Sequence, residues 1–186
     1  MIELKLLDNE FENNGITHTR NIARAVVLDG NKVMLLRVKR NDEFGKATYL
    51  ETSGGGIDAG ETPEVAVLRE IDEELGKKVE IITKLGIIDD YYNKIGRHNI
   101  NHYFLVKIVG DTKIHHVSKG DDLIDSILSL DIEDILAEYK KPREEKIKRI
   151  VYNREEPIIL EAYRYMKEEN LIWKKTDVHI AKKENS

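Results

Sequence analysis

The sequence predicts an α+β fold in which helices pack on a mixed β-sheet. One observation is the order of the segments: β-rich runs come first, then an acidic helical segment, then further β-rich runs and helices. The other is the composition. The 186 residues are 40% hydrophobic and 35% charged and include no cysteine, which is typical of a globular domain that folds without disulfides. We expect one domain over residues 1–140, with a helical C-terminal segment over 141–186 packed on it.

The N-terminal part of the chain is rich in strand signals. IELKLL predicts an edge strand, followed by a polar loop. The runs Ile22–Leu28 and Lys32–Val38 flank DGN, a turn sequence typical of a hairpin. ATYLET predicts a further short strand, which leads directly into three consecutive glycines.

Strands and then helices are also predicted after the acidic segment. VEIITKLGIIDDYY and NHYFLVKIV are rich in β-branched and aromatic residues, with NKIGRHNI expected as the loop between them. GDTKIHHVSKGDD predicts a loop, and LDIEDILAEYKK predicts a helix that stops at Pro142. From Pro142 a second helical stretch runs to NLIW, with an interruption expected near Pro157 and a frayed, charged tail.

The acidic segment carries clear signals for the start and end of a helix. Thr62 is a capping residue, and Pro63 is tolerated at the first helical position. Gly76 is a natural helix stop. We therefore predict a helix over Pro63–Leu75.

The helical repeat divides the side chains of this segment between two faces. Four apolar side chains share the face that we expect to dock on the sheet: Val65, Leu68, Ile71 and Leu75. On the opposite side, Glu70, Glu73 and Glu74 fall at spacings of three and four, so we expect their carboxylates to converge.

Such a cluster of acids lowers the stability of a helix. Like charges one turn apart repel, and acids near a helix C-terminus oppose the helix dipole. A charge run on a helix is commonly just a solvated face. Here, however, the three glycines at 54–56 precede it, and a glycine loop lets backbone approach a ligand closely. Together the two features favour a divalent ion such as Mg²⁺, which takes oxygen ligands and shares its shell with substrate phosphates.

This joint pattern resembles the Nudix box, the signature of the Nudix hydrolase family. The pattern is Gly, five residues, Glu, seven residues, Arg-Glu, an aliphatic, any residue, Glu-Glu, any residue, Gly, an aliphatic. The matching residues are Gly55, Glu61, Arg69, Glu70, Ile71, Glu73, Glu74 and Gly76. Lys77 departs from the final aliphatic position, and Ser53 stands where many members have Pro. The resemblance implies a Nudix-type α/β/α sandwich, to which the helical C-terminus would be an extension.

The resemblance also implies the chemistry and the role of each box residue. Family members hydrolyse a diphosphate linkage in nucleoside diphosphate derivatives, with Mg²⁺ as cofactor and Mn²⁺ as a substitute. Glu73 and Glu74 would be the main metal ligands, and Glu70 a further ligand or the general base. Gly55 would offer its backbone carbonyl to the metal. Arg69 and Glu61 would hold the acidic side chains in place.

Other site residues are candidates on weaker grounds. Substrate binding is expected from Arg37 and Lys39, with Arg40 beside them, and from Tyr91 and Tyr92, although charges at strand ends and tyrosines in strands are commonly structural. A further metal ligand could come from Asp121, Asp122 or Asp125. The histidines do not predict zinc, because His98 and His102 flank a loop and the adjacent His115 and His116 would point apart on a strand.

The overall charge bears on partners and location. The net charge of −5 argues against a stable nucleic-acid partner, and no segment is long and apolar enough to suggest a membrane span. The cysteine-free chain without a signal peptide suggests the cytoplasm, and a homodimer is a candidate assembly. Two alternatives to a small-molecule hydrolase stay open: a nucleotide-sensing regulatory module without turnover, and an RNA 5′-end pyrophosphohydrolase.

Overall fold

A computed structural model describes residues 1–115 and 121–171 of the chain, except for the side chain of residue 121. The strands of the described residues are β1 (Ile2–Leu6), β2 (His18–Asp29), β3 (Lys32–Asp42), β4 (Gly45–Glu51), β5 (Ser53–Gly56), β6 (Lys77–Tyr92), β7 (Arg97–Asp111) and β8 (Ile124–Leu130). The α-helices are α1 (Pro63–Leu75), α2 (Ile132–Tyr139) and α3 (Lys146–Glu168). Among these residues no helix has the length and apolar character needed to cross a membrane.

The sheet is mixed, as predicted. Its strand order is β1-β6-β7-β2-β3-β4, with β5 paired to β2 and β8 paired to β3. The pairs β1–β6 and β2–β7 are parallel, while the remaining pairs are antiparallel. The β2–β3 hairpin turns at the predicted place, since Asp29 pairs with Lys32 across two residues.

Helices cover both faces of this sheet. α1 packs against β5, β2 and β6, and it buries Ala66, Val67 and Ile71. α3 packs against β4, β6 and β1, and α2 packs on α3. Successive residues of a strand face opposite sides, so the two helices can be assigned to faces. The face of β5 that carries Gly55 meets α1, whereas Arg24 of β2 faces α3.

The bounds of α1 confirm the prediction from the sequence. The Thr62 hydroxyl accepts a hydrogen bond from the Val65 amide at 3.3 Å, which satisfies one free donor of the first turn. At the other end, Gly76 has φ +62° and ends the helix in the left-handed conformation.

The predicted docking face of α1 is half right. Ile71 and Leu75 are buried as predicted, whereas Val65 and Leu68 are 53% and 39% exposed, and Glu70 and Glu74 are buried in their place. Glu74 can be buried because backbone and hydroxyl donors of β5 hydrogen-bond it, which reduces the cost of burying a polar group.

β8 was not predicted, and it lies between the expected loop and the expected helix. Two smaller predictions also need correction. The loop between β6 and β7 is only the short turn Asn93–Ile95 with Gly96, so Arg97–Ile100 belong to the strand. α3 runs through Pro157 without a break. The buried neighbours Ile158 and Ile159 hold it on the sheet, and this packing offsets the hydrogen bond that proline cannot donate. The predicted frayed tail lies outside the described residues.

Candidate active site

A cleft of about 910 Å³ lies beside the glycine strand β5. Three groups of residues line it. The acids of α1 with the glycines of β5 form one end, and an arginine-rich wall extends along β2 and β7. The far end is aromatic and apolar, and includes Phe44, Tyr49 and Tyr92. The cleft therefore combines oxygen ligands, cations and stacking surfaces.

The glycines of β5 let charged side chains approach both faces of one strand. A Cβ on Gly55 would lie 2.5 Å from the carboxylate of Glu70. On the other face, a Cβ on Gly56 would lie 2.5 Å from the guanidinium of Arg20. Gly54 has φ +147°, and a Cβ there would lie 2.2 Å from the Ala23 carbonyl oxygen. Any larger residue would push the acids or the arginines away from β5.

Glu74 is a buried acid with neutral hydrogen-bond donors. Its Oε2 accepts a hydrogen bond from the Ser53 hydroxyl at 2.6 Å and from the Gly54 amide at 2.9 Å. Burial raises the pKa of its carboxyl to about 7, and the nearby charge of Glu70 acts in the same direction against these two hydrogen bonds. A bound cation would favour the charged carboxylate.

Arg69 holds the other acids of the box together. Its guanidinium bonds Glu61 through both Nε and Nη2, at 2.9 and 2.8 Å, and Nη2 also donates to the Gly56 carbonyl oxygen at 2.8 Å. Nη1 lies 2.7 Å from Glu70 and 3.3 Å from Glu73. The hydrogen bonds from Arg69 lower the pKa of Glu61 to about 2. The holding role that the resemblance implies for Arg69 and Glu61 stays a prediction, for which these hydrogen bonds are the structural basis.

The acids suit a hard divalent cation in their chemistry, although they are not gathered around one point. In the described part of the chain, no group of three acidic or histidine side chains is arranged to hold a metal ion. The expected convergence is therefore not seen: Arg69 bridges Glu70 and Glu73, while Glu74 turns to Ser53. The donor set is nevertheless purely oxygen, and the space at Gly55 brings backbone next to Glu70. Glu70, Glu73, Glu74 and the Gly55 carbonyl would be the oxygen ligands for a divalent cation here.

Apart from Arg40, which was a candidate for substrate binding, the arginine wall was not predicted from the sequence. Its members line the cleft from β2, β3, β7 and α3: Arg20, Arg24, Arg40, Arg97 and Arg154. The one available signal was the spacing of Arg20 and Arg24 around Ile22, because residues four apart on a strand share a face. Nothing local to the sequence marks Arg97 or Arg154, since strand pairing and helix packing bring them to the cleft.

Arg154 is the centre of a buried ion network at the floor of the cleft. It is 1% exposed and bonds Glu51, Asp90 and Glu155 at 2.9–3.0 Å. Its Nη1 also donates to the Tyr92 hydroxyl at 2.8 Å. Glu155 in turn accepts the Thr52 amide and the Tyr103 hydroxyl. The network ties α3 to the sheet immediately before β5.

The structure separates the predicted substrate residues. Arg37 and Lys39 alternate along β3 with Leu36, Val38 and Arg40, which line the cleft, so they face the opposite side of the sheet. Tyr92 lines the cleft. Tyr91 faces away and stacks on His98 with ring centroids 4.5 Å apart.

The remaining candidates lie away from the acids or cannot be placed. Asp125 bonds Arg37 Nε at 2.7 Å, and Asp122 is exposed and does not line the cleft. The side chain of Asp121 and the whole of His116 lie outside the described residues. His102 is half-buried on β7, and His115 is exposed.

Comparison with known proteins gives one family. Residues 18–152 match the family model described as the NUDIX domain. An ADP-ribose pyrophosphatase of Methanocaldococcus jannaschii is 32% identical over 103 residues, which span 53% of this chain and 57% of that protein. An RNA pyrophosphohydrolase of Nitratiruptor is 34% identical over 117 residues, which span 56% of this chain and 73% of that protein.

Solved structures show the same fold. A MutT NUDIX hydrolase from Burkholderia pseudomallei is 25% identical with a TM-score of 0.54, and the match covers 74% of this chain and 98% of that one. An ADP compounds hydrolase is 15% identical with a TM-score of 0.58, covering 87% and 80% of the two chains.

Proposed function

The chain belongs to the NUDIX family of hydrolases, and we propose that it is a Mg²⁺-dependent pyrophosphohydrolase that cleaves a diphosphate linkage in a nucleotide or nucleoside diphosphate derivative. One observation carries this proposal: a single cleft holds the acids of α1 and a wall of arginines on either side of β5. Metal ligands on one side and phosphate-binding cations on the other are the two requirements of a diphosphate substrate.

Each acid has a proposed task in this cleft. Glu73, Glu74 and the Gly55 carbonyl would hold Mg²⁺, or Mn²⁺ in its place, with Glu70 as a further ligand or as the base for the attacking water. Bound Mg²⁺ would neutralise the diphosphate and activate water. Arg69 and Glu61 position Glu70 and Glu73 through the hydrogen bonds described above.

The function is tested by a hydrolysis panel with product identification in the presence of Mg²⁺. The panel should include ADP-ribose and a 5′-triphosphorylated oligoribonucleotide, because the two relatives carry these activities in their names. Nucleoside triphosphates, dinucleoside polyphosphates and nucleotide sugars complete it. The products identify the bond that was cut.

Two variants connect the activity to the acids of α1. We expect Glu73→Gln to lower kcat/KM on the best substrate by about a hundredfold. Glu64→Gln is the matched control, because it changes an exposed glutamate on the same helix that does not line the cleft. Equal activity of the Glu73 variant and the wild type would refute the assigned roles.

The regulatory alternative makes the opposite prediction for the same panel. A nucleotide-sensing module would bind members of the panel without releasing products. The box of this chain is complete at the acidic positions, which favours turnover. Binding without hydrolysis across all substrates would favour the sensor.

Assembly and location belong to the same proposal. We propose a cytoplasmic enzyme that acts on small molecules, with a homodimer as its assembly. Light scattering on the full chain would test the dimer. A variant truncated at Pro142 would lose Arg154 and Glu155 with α3, so we expect it to be unfolded rather than monomeric.

A further inference from the structure

Two arginines of the cleft wall lack acidic partners. Arg20, on β2, makes no hydrogen bond or ion pair with the described residues, although its guanidinium packs over Gly56. Arg97, on β7, donates from Nε to His18 Nε2 at 3.0 Å, and this is its one side-chain bond in the described part of the chain. The other arginines of the wall differ: Arg24 and Arg154 pair with Glu51, and Arg40 pairs with Asp42.

Arg20 lies in an environment that disfavours its charge. Burial lowers the pKa of Arg20, and the neighbouring charges of Arg97 and Arg24 act in the same direction, only partly opposed by the acids Glu70 and Asp58. A bound anion would offset this effect, as a cation would among the acids on the other face of β5.

A buried acceptor next to Arg20 also lacks a donor. Asn99 is 3% exposed and donates from Nδ2 to Asp90 Oδ1 at 3.0 Å, which fixes the orientation of its amide. Its Oδ1 has no hydrogen-bond partner. Asn101, two residues along the same face of β7, provides a comparison. It donates to the same Asp90 oxygen, and its Oδ1 accepts Arg24 Nε at 3.3 Å. Of the two asparagines, only Asn99 has an unused acceptor.

Strand register brings these groups together. β2 and β7 are parallel, His18 is opposite Arg97, and Arg20 is opposite Asn99. Opposite residues of neighbouring strands point to the same face, with their Cβ atoms about 5 Å apart. Since Arg20, Arg97 and Asn99 all line the cleft, two cations and one buried acceptor face the same ligand space.

We propose that Arg20, Arg97 and Asn99 form a sugar-phosphate subsite, in which the two guanidinium groups bind a phosphate and Asn99 Oδ1 accepts a hydroxyl of the sugar esterified to it. A fully ionised phosphate ester uses the arginines but has no donor for the Asn99 oxygen. A sugar hydroxyl one or two bonds away from the ester supplies that donor. The inference rests on the proposed function in one respect: it assigns this group to the part of the substrate beyond the cleaved bond.

The consequence concerns substrate choice. A diphosphate whose second phosphate carries a sugar satisfies the arginines and Asn99 together. An inorganic tail, such as the terminal phosphates of a nucleoside triphosphate, satisfies only the arginines. The subsite therefore favours sugar-linked diphosphates within the hydrolysis panel, because a buried acceptor left without a donor is costly.

The test measures binding without metal, so that it does not depend on hydrolysis. The full chain, isotopically labelled and kept in EDTA at pH 8, is titrated with ribose 5-phosphate or with methyl phosphate, a dianion without a hydroxyl donor, while its NMR spectrum is recorded. We expect Arg20→Gln to weaken both probes by about tenfold, since each loses a charge-assisted hydrogen bond. We expect Asn99→Ala to weaken the binding of ribose 5-phosphate by about three- to tenfold and to leave the binding of methyl phosphate unchanged.

Controls separate these effects from damage to the fold. Lys107→Gln removes the same charge from the same strand as Arg97, but at an exposed pair with Glu80 outside the cleft, and should change neither titration. Arg20→Lys should recover part of the phosphate binding. Asn99→Leu serves as a second variant if Asn99→Ala shows altered spectra, since it fills the space without restoring the acceptor.

Specific results would overturn the subsite. These are the absence of binding of both probes to the wild type, equal titrations of Arg20→Gln and Lys107→Gln, or equal weakening of both probes by the Asn99 variants. Failure of the proposed function gives a different result. In that case the hydrolysis panel yields no products, while the metal-free titrations still separate the two probes and the variants.

Discussion

Two clusters of buried acids meet at the junction of β4 and β5, and they are neutralised in different ways. In the first, Arg154 bonds Glu51, Asp90 and Glu155 directly. In the second, Glu74 accepts hydrogen bonds from Ser53 and Gly54, and no cation among the described residues is bonded to it. The clusters are adjacent in the chain, because Thr52 bonds Glu155 and the next two residues bond Glu74.

The difference distinguishes a structural cluster from a functional one. Burying a carboxylate is costly, and a protein cation with additional hydrogen bonds offsets much of that cost. The Arg154 cluster has such a cation within the fold. Glu74 lacks one, and its raised pKa records the remaining cost. We infer that a bound ligand supplies the positive charge that the second cluster lacks. This gives a reason for a stable fold to retain a buried acid without a cation bonded to it.

The largest effect is expected from removing the cation of the first cluster. Arg154→Met leaves Asp90 and Glu155 buried without their cation, which should lower the free energy of unfolding by about 3–5 kcal/mol. Urea denaturation measures the loss. Arg164→Gln, on the exposed side of the same helix, removes pairs with Glu161 and Glu168 and should cost less than about 1 kcal/mol. Similar losses in the two variants would show that the buried network does not hold α3.

Removing the charge of Glu74, in the second cluster, should raise the free energy of unfolding. Gln can accept the same two hydrogen bonds as Glu74 but carries no charge, so Glu74→Gln should stabilise the metal-free protein at pH 8 by about 1–3 kcal/mol. The same variant should lose most of the Mg²⁺-supported activity. Unfolding in EDTA and a hydrolysis assay give the two results.

The pH dependence follows from the raised pKa of Glu74. The ordinary value is 4.5 and the value in the fold is about 7. The stability that this group contributes is therefore fully present below about pH 4.5 and is lost as the pH rises through about 7. The advantage of Glu74→Gln should be absent at pH 4.5 and grow towards pH 8. An advantage that does not change with pH would contradict a buried, titrating acid.

A smaller effect, on activity alone, is expected from the glycine between the clusters. The added Cβ of Gly55→Ala would lie 2.5 Å from the Glu70 carboxylate, the end of a flexible side chain that can move away. We expect kcat/KM to fall by about tenfold through misplacement of Glu70, with little change in melting temperature. Gly110→Ala is the matched control, because the nearest atom to its Cβ is 3.8 Å away. Equal activity of the two variants would show that Glu70 does not need glycine at residue 55 for its position.

The smallest effect tests the hydrogen bond that supports Glu74. Ser53→Ala removes a 2.6 Å bond and should destabilise the metal-free protein at pH 8 by about 1 kcal/mol. Ser126→Ala removes a 3.3 Å bond to the exposed Asp125 and should have less effect. Equal unfolding curves for the two variants would indicate that the hydroxyl of Ser53 does not support the carboxylate.

The sequence by itself determined the parts of the site that depend on local chemistry. The bounds of α1 follow from Thr62, Pro63 and Gly76, because capping and helix termination involve residues within one or two turns. The order of the segments likewise predicted a mixed-sheet fold, and the box spacing indicated the family. The hairpin at residues 29–32 followed from its turn residues.

Only the tertiary structure decided which side chains face the cleft. Arg37 and Lys39 lie beside the box in sequence but face away, while Arg97 and Asn99 reach Arg20 through pairing of β7 with β2. The buried face of α1 was decided in the same way, by donors on β5 rather than by its own apolar pattern. The physical reason is common to both. The face of a strand or helix that becomes buried depends on partners far away in the chain, and a local pattern contains no information about them.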